Sequence, residues 1–473
     1  MSGIDTLVAI GNSVVWGQGL AHGDKFVSIV HERLAGEPLR EENVKARSGA
    51  IIGEGEDPDE ITADVSRVAL HEIPHSAPTI LEQVDAFPEP GDPDPATVDL
   101  LLLDGGINDT GFETFLDPET SRREIATVAL EHSYREMTTL LHAARDTFPN
   151  ALIVVTGYYP VVTRDTDFDE LVDQVEPIAD EETDVPVGLA AAVLELYDFF
   201  TDTTGDIVRN AVRFHEHQLY QLRRAVADAS EDPEVRGPGV LFAHPGFAHE
   251  NGLFASEPWL FDLENVGDPD VVRERVEGCE AIGAGIACEL ASTGHPNRVG
   301  AERYADAVHD VHSRYRTRSV RDDVSALAAA GDGPVSVREA LERYSLDPET
   351  GLRTSLSHVI VDCLTARFET GGNALSAGGS DAYLHLAGER WAIQNEDVHE
   401  HSTDVFVVDP VLEWDRRLRL REIDGVEFEF DEDFGDEWDL DRLELRINGR
   451  RVYQRSFDRE LDGEFTVELR YPT

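Results

Sequence analysis

Four short stretches of the chain hold the residue types that acyl transfer requires. Gly11-Asn12-Ser13 follows an apolar run at 6–10 and opens a turn that continues through Trp16-Gly17-Gln18-Gly19. A serine just past a buried strand, with helix-starting amides behind it, stands where open α/β sheets bind ligands. In isolation such a serine is more often a helix N-cap. Gly105-Gly106-Ile107-Asn108-Asp109 follows the apolar run 99–104. Asn108 would present a neutral amide beside Ser13, a donor suited to a developing oxyanion, although Gly, Asn and Asp also favour ordinary turns. Arg47-Ser48-Gly49-Ala50 offers an unobstructed backbone N–H at Gly49, and Ser292-Thr293-Gly294-His295-Pro296-Asn297 puts one of 17 histidines in a loop before a helix. Together they make a coherent set: His295 takes the Ser13 proton, the hydroxyl attacks an ester carbonyl, donors hold the oxyanion, and water clears the acyl-enzyme.

Positioning these groups requires strands that end beside one another. Residues 6–10, 43–46, 99–104, 151–156 and 239–242 read as short buried strands, with helices at 25–34 and 122–146 between them. Unbroken apolar strands alternating with amphipathic helices imply a doubly wound α/β domain with a mainly parallel sheet covered on both faces, a three-layer arrangement of the flavodoxin type. An insertion at about 160–238 contains an acidic stretch at 165–184 that reads as loop, then two helices across 189–228 parted at Thr203-Thr204-Gly205. It is either a lid or a solvated helical hairpin. A helix from Arg298 to about Arg316 closes the first domain, at 1–318, and a polar helical linker covers 319–354. From 355 to 473 the pattern alternates with period two and includes Asn448-Gly449 between apolar runs, a hairpin signal, so an antiparallel β-sandwich is expected.

The four stretches, taken in order, resemble the blocks of the SGNH (GDSL-type) hydrolase superfamily across residues 1–318. Gly11 to Gly19, including Trp16-Gly17-Gln18-Gly19, is similar to the first block; Asn43-Val44 with Ser48-Gly49-Ala50 to the second; Gly106-Ile107-Asn108-Asp109 to the third; and His295-Pro296, with Gly300, Tyr304 and Ala305, to the last. The resemblance implies an esterase or lipase with Ser13 as nucleophile, His295 as base, and an oxyanion hole from the Ser13 and Gly49 amides with the Asn108 side chain. Gly11, Asn12, Gly106 and Asp109 are the supporting motif residues. Two positions depart from the family: Asn12 replaces its Asp, and Ser292 occupies the place of its acid three residues before the histidine. Some relatives orient the histidine with a backbone carbonyl, which Ser292 would supply; Glu289 is the other candidate. A phospholipid, thioester or sugar O-acetyl substrate would use the same site, and a catalytically degenerate binding or scaffold module is the reading from another class. The C-terminal region weakly resembles PLAT-type sandwiches in Thr370-Gly371-Gly372, the run from Gly379 to Leu384 and Trp438. That implies lipid or protein docking, with calcium; a stabilising β domain is the alternative.

Composition narrows the setting. The chain has 473 residues with 95 acidic and 40 basic ones, a net charge of −55, and only Lys25 and Lys45 as lysines. Such self-repulsion is tolerable where the Debye length falls to about 3 Å, so adaptation to molar salt is expected. Nucleic acid and anionic membrane are excluded as direct partners, because the same field repels them; a small-molecule or lipid ester is the expected partner. The acidic run around 431–439 lacks EF-hand spacing, neither His215/His217 nor His399/His401 has a full ligand set, and no metal or other cofactor is expected in the α/β domain. Cys279, Cys288 and Cys363 read as buried thiols, with a Cys279–Cys288 bridge as the less favoured option. No signal peptide or run of about 18 apolar residues is visible, and a cytoplasmic location is expected.

Overall fold

Strands β1 (Leu7–Ile10), β2 (Leu100–Leu103), β3 (Leu152–Thr156) and β4 (Val240–Ala243) carry the apolar runs, and all their residues except Leu241 are buried. In the computed structural model the described residues are 4–53, 66–179, 204–235, 237–282, 288–329, 360–372, 381–393, 402–423, 426–431, 439–457 and 465–467. The four strands pair in parallel in the order β1-β2-β3-β4, with Ile10 opposite Leu103 and Leu103 opposite Val155. This is the expected α/β sheet. Because β1 and β2 end in register, the turns after Ile10 and after Leu103 emerge side by side.

The strand expected at 43–46 is reduced to one parallel bridge, Ala9 with Val44, preceded by a 3-10 turn at Glu41–Asn43. The Asn43 side chain donates to the Leu7 carbonyl, and the Arg47 N–H donates to the Gly11 carbonyl, which turns the chain inward. Even so, Val44 lies on the far side of β1 from β2. The chain therefore reverses its direction of sheet growth at β1, and the crevice outside the strand ends at such a switch point is where α/β sheets place ligands.

The helix expected at 122–146 is broken at its centre. Arg122–Leu130 and Met137–Thr147 are α-helical, and Glu131–Glu136 between them is a π-turn. The acidic stretch read as loop contains a helix, Phe168–Ala179. Its Phe168, Leu171, Val172 and Val175 recur at helical spacing, a pattern hidden by the surrounding acids. After the expected break, the second of the two expected helices is Thr204–Glu231, buried along Leu219, Leu222, Ala225 and Val226 and packed on the 122–130 helix, the π-turn and β4. This helix belongs to the β3-to-β4 crossover. Residues 180–203, which include the expected break at 203, lie outside the described residues.

Cys279 and Cys288 form a disulfide with a Cα–Cα separation of 6.2 Å, correcting the reading of both as buried thiols. With Ile73 they form a small apolar cluster. Cys363 is a buried thiol outside the disulfide, as expected, with its Sγ 3.7 Å from the Thr365 hydroxyl.

The chain divides into two units, Met1–His309 and Asp310–Thr473. A helix spans Arg298–Ala329, and 330–359, most of the expected linker, lies outside the described residues. The second unit holds a two-stranded antiparallel pair, β5 (Ile360–Val361) with β10 (Leu418–Arg419), and two antiparallel four-stranded sheets. One has the order β14 (Phe465–Val467), β11 (Val426–Asp431), β7 (Asp381–Leu386), β8 (Glu389–Ile393); the other runs β13 (Arg450–Ser456), β12 (Leu440–Ile447), β6 (Leu364–Thr370), β9 (Thr403–Val408). Leu384, Leu386 and Ile393 of the first share one core with Phe368, Phe406, Leu443 and Leu445 of the second, so the sheets are stacked. Asn448 and Gly449, at φ 49° and 76°, make the expected tight turn between β12 and β13. Trp438, the 379–380 and 432–438 stretches and His399/His401 lie outside the described residues, and with them most of the expected docking and calcium features. Within reach, Asp439 is occupied by accepting the Gly372 N–H.

Arg145 fixes the entrance to β3 and β4. Its buried guanidinium donates to the carbonyls of Phe148, Ala151, Val235 and Gly239. An Arg145→Lys variant keeps the charge but loses the planar fork, leaving two or more buried carbonyls unpaired at about 1–3 kcal/mol each. We expect the denaturant midpoint to fall accordingly at constant salt; an unchanged midpoint would show that the clamp is dispensable.

Candidate active site

Ser13 is the first residue of a one-turn helix, Ser13–Trp16, capped by Asn12, whose side-chain oxygen accepts the Val14 N–H. Beneath this turn lies Asp104, the residue after β2. Its Oδ1 accepts the Asn12 N–H at 2.8 Å, and burial pushes its carboxyl up to about 7. Gly11 has no alternative here: at φ 154° a Cβ would stand 1.9 Å from Asp104 Oδ1. Gln83 clamps the same glycine from the other side, donating to its carbonyl and accepting its N–H. The Asn12 amide nitrogen donates to the Tyr158 hydroxyl. Tyr158 is buried, and a family-type Asp at position 12 would set a second carboxyl beside Asp104 in that enclosure, whereas the neutral Asn caps the turn without adding charge.

The structure brings His295 to Ser13 across 282 residues of sequence, with Nε2 at 2.8 Å from Oγ. In the tautomer protonated on Nδ1, Ser13 donates to Nε2. The loop bearing His295 is pinned by its backbone: its N–H donates to the Ser292 carbonyl, its own carbonyl accepts from Phe261, and Tyr159 donates its hydroxyl proton to the Gly294 carbonyl. Of the two expected orienting residues, Ser292 meets His295 only through the backbone, its carbonyl accepting the His295 N–H and not a proton of the ring. Its hydroxyl turns away to the Val266 carbonyl. Glu289 is exposed and makes no bond to His295; its backbone carbonyl accepts from Arg275. Burial lowers the imidazole pKa to about 4, against the opposing influence of the Ser292 and Thr293 carbonyls. Nδ1 has no hydrogen-bond partner within normal geometry.

The expected oxyanion donors lie on interlocked loops. Gly49, at φ 78°, passes so close to His75 that a Cβ would meet its backbone nitrogen at 2.4 Å. Its N–H and that of Ser13 donate to no group of the described residues. Asn108 donates one Nδ2 proton to the Ala50 carbonyl at 3.0 Å, which fixes its amide and leaves the second proton for another acceptor. Asp109 Oδ1 accepts the Ile52 N–H at 2.8 Å and the Gly53 N–H at 3.3 Å, tying the third block to the second.

Sequence reasoning missed what joins the serine and histidine loops. Glu72, fully buried, accepts from Trp16 Nε1 at 2.6 Å and from the Gly19 N–H, and pairs with Arg275 at 2.9 Å. Lys25 Nζ lies 3.1 Å from the Trp16 ring centroid and 4.0 Å from Glu72, with its pKa lowered to about 7 by burial. Arg275 donates onward to the Cys288 and Glu289 carbonyls, at the start of the His295 loop. The one available signal was Lys25, one of only two lysines; Glu72 and Arg275 are indistinguishable in sequence from many other charged residues.

Neither a family model nor a curated protein sequence matches the chain. Solved structures similar to it include an extracellular lipase from Streptomyces rimosus, at 15% identity and TM-score 0.34 over 64% of this chain and 98% of that one. A phospholipase A1 from Streptomyces albidoflavus aligns at 13% identity and TM-score 0.35 over 66% and 99%. The alpha-toxin of Clostridium perfringens aligns at 13% and 0.21 over 76% and 95%. Superpositions this loose carry no argument about activity, which rests on the chain's own geometry.

Replacing Glu72 by Gln would leave Lys25 and Arg275 without their shared counter-charge in the interior. Breaking one partner of a buried pair costs about 3–5 kcal/mol, so the Glu72→Gln unfolding midpoint should drop by a corresponding amount; a loss under about 1 kcal/mol, the size of a surface pair, would contradict the network's role.

Proposed function

We propose that the protein is a serine hydrolase of carboxylic esters, adapted to concentrated salt. The observation that carries this is the 2.8 Å contact between Ser13 Oγ and His295 Nε2, at the carboxyl end of a parallel sheet, with the Ser13 and Gly49 N–H groups donating to nothing among the described residues. In the reaction His295 removes the hydroxyl proton as Ser13 Oγ attacks the ester carbonyl. The Ser13 and Gly49 N–H groups and Asn108 Nδ2 receive the oxyanion. The alcohol leaves with the proton from His295, and water, deprotonated by the same imidazole, releases the acid. Among the described residues no carboxylate is bonded to His295, and Nδ1 has no hydrogen-bond partner; the Ser292 and Thr293 carbonyls lie near enough to favour the imidazolium weakly. The developing imidazolium is then less stabilised than beside an Asp, so a modest turnover rate is expected.

The salt-adapted reading rests on the net charge of −55. The Cys279–Cys288 bridge supports an oxidising compartment in place of the cytoplasmic one expected from sequence.

A low imidazole pKa fixes the sign of the pH response. His295 is a base only when neutral, so activity is present above its pKa and lost as pH falls through it. With that pKa near 4, kcat/KM for a p-nitrophenyl ester in molar KCl should stay flat from neutral pH down to about 5 and fall below that. Ser13→Ala and His295→Ala should each reduce it about a thousandfold or more. Undiminished hydrolysis by folded Ser13→Ala, or an acid limb near the ordinary histidine value, would contradict the assignment.

A further inference from the structure

Asp109, His132 and Glu136 have no part in the proton transfers assigned to Ser13 and His295, and we propose that they form a binding site for one first-row divalent cation of the Mn2+ or Zn2+ kind. One ligand atom from each lies within 4.8 Å of the others, the span expected of three donors around one ion at bond lengths of about 2.0–2.4 Å. His132 Nδ1 and Glu136 Oε2 are 2.9 Å apart. That is about the separation of two neighbouring ligands at right angles on an ion with bonds near 2.1 Å.

Three further observations point to a ligand. Asp109 commits Oδ1 to the Ile52 and Gly53 N–H groups, which fixes the carboxylate plane, while Oδ2 is shut from solvent and has no hydrogen-bond partner. A buried carboxylate oxygen left unpaired is costly unless something positive meets it. The π-turn Glu131–Glu136 interrupts an otherwise regular helix and is the element that presents both His132 and Glu136; such turns recur at functional sites. Gly106, at φ 101°, lets the Asp109 loop approach this turn so closely that a Cβ would stand 3.1 Å from the His132 carbonyl. Arg135, the cation between the two helix ligands in sequence, faces outward to Glu131 and leaves the pocket to an external ion.

The donor set selects the ion class. Two carboxylates and one imidazole suit an ion that accepts both oxygen and nitrogen and completes its shell with water; Ca2+ requires six to eight oxygens. All three residues are partly exposed. A bound ion would lock the loop carrying Asn108 to the π-turn, independently of whether Ser13 is a nucleophile.

The test is Mn2+ binding to the full-length protein in molar KCl, which suppresses diffuse association with the acidic surface. Electron spin resonance titration should show one saturable ion per chain, displaced by Zn2+, whose affinity falls at least about tenfold in His132→Gln and in Glu136→Gln. Mn2+ should also raise the thermal midpoint of the wild type but not of either variant. Equal binding by wild type and both folded variants would overturn the proposal. Should the variants fail to fold, electron spin-echo modulation on the wild type decides alone: a nitrogen coupling from a histidine ligand to the bound Mn2+ supports the site, and its absence overturns it.

Discussion

The buried carboxylate of Glu72 is the point on which the site's geometry depends. The serine turn and the histidine loop are 282 residues apart in sequence, and no strand pairing connects them. Glu72 bridges the gap by accepting from Trp16 and Gly19 on one side and from Arg275 on the other, while Arg275 extends the chain of bonds to the Cys288 and Glu289 carbonyls. Isolated in the interior, any of these charges would be expensive. As a set, with Lys25 over the Trp16 ring, the two cations and one anion satisfy one another, and the backbone donors fix their directions. The disulfide from Cys279 to Cys288 ties the helix that carries Arg275 to the same loop.

Much of the candidate site was legible because its residues sit at strand ends. Apolar runs locate β1 and β2, and the turns that follow them must emerge together once the strands pair in parallel. That places Gly11-Asn12-Ser13 beside Gly105 to Asp109 from pattern alone. His295 was legible only as a member of a set, since a lone histidine before a helix carries little information. The second block was misread as a strand because Asn43 and Val44 have the right neighbours but only Val44 pairs, the Asn43 side chain being spent on the Leu7 carbonyl. The π-turn was invisible because the helical periodicity of 122–146 continues through it. Asp104 and Glu72 were lost among 95 acidic residues, for burial is decided by tertiary packing and leaves no mark on the local pattern.

The composition and the site place opposite demands on charge. Among the described residues most acidic groups lie where water and ions can screen them, yet both lysines are held within ion clusters: Lys25 over the Trp16 ring, and Lys45 against Glu89 and Asp92. Asn12 and Ser292 fit the same logic. Each stands where the family that the motifs resemble carries an acid, and each is buried; Asn12 caps the serine turn with a neutral amide.

The most direct test of the Ser13–His295 pairing is mass mapping after fluorophosphonate treatment in molar KCl. The account predicts a single adduct on the peptide carrying Ser13, formed much more slowly in His295→Ala. A folded protein left unmodified, or an adduct carried by another serine, would contradict it.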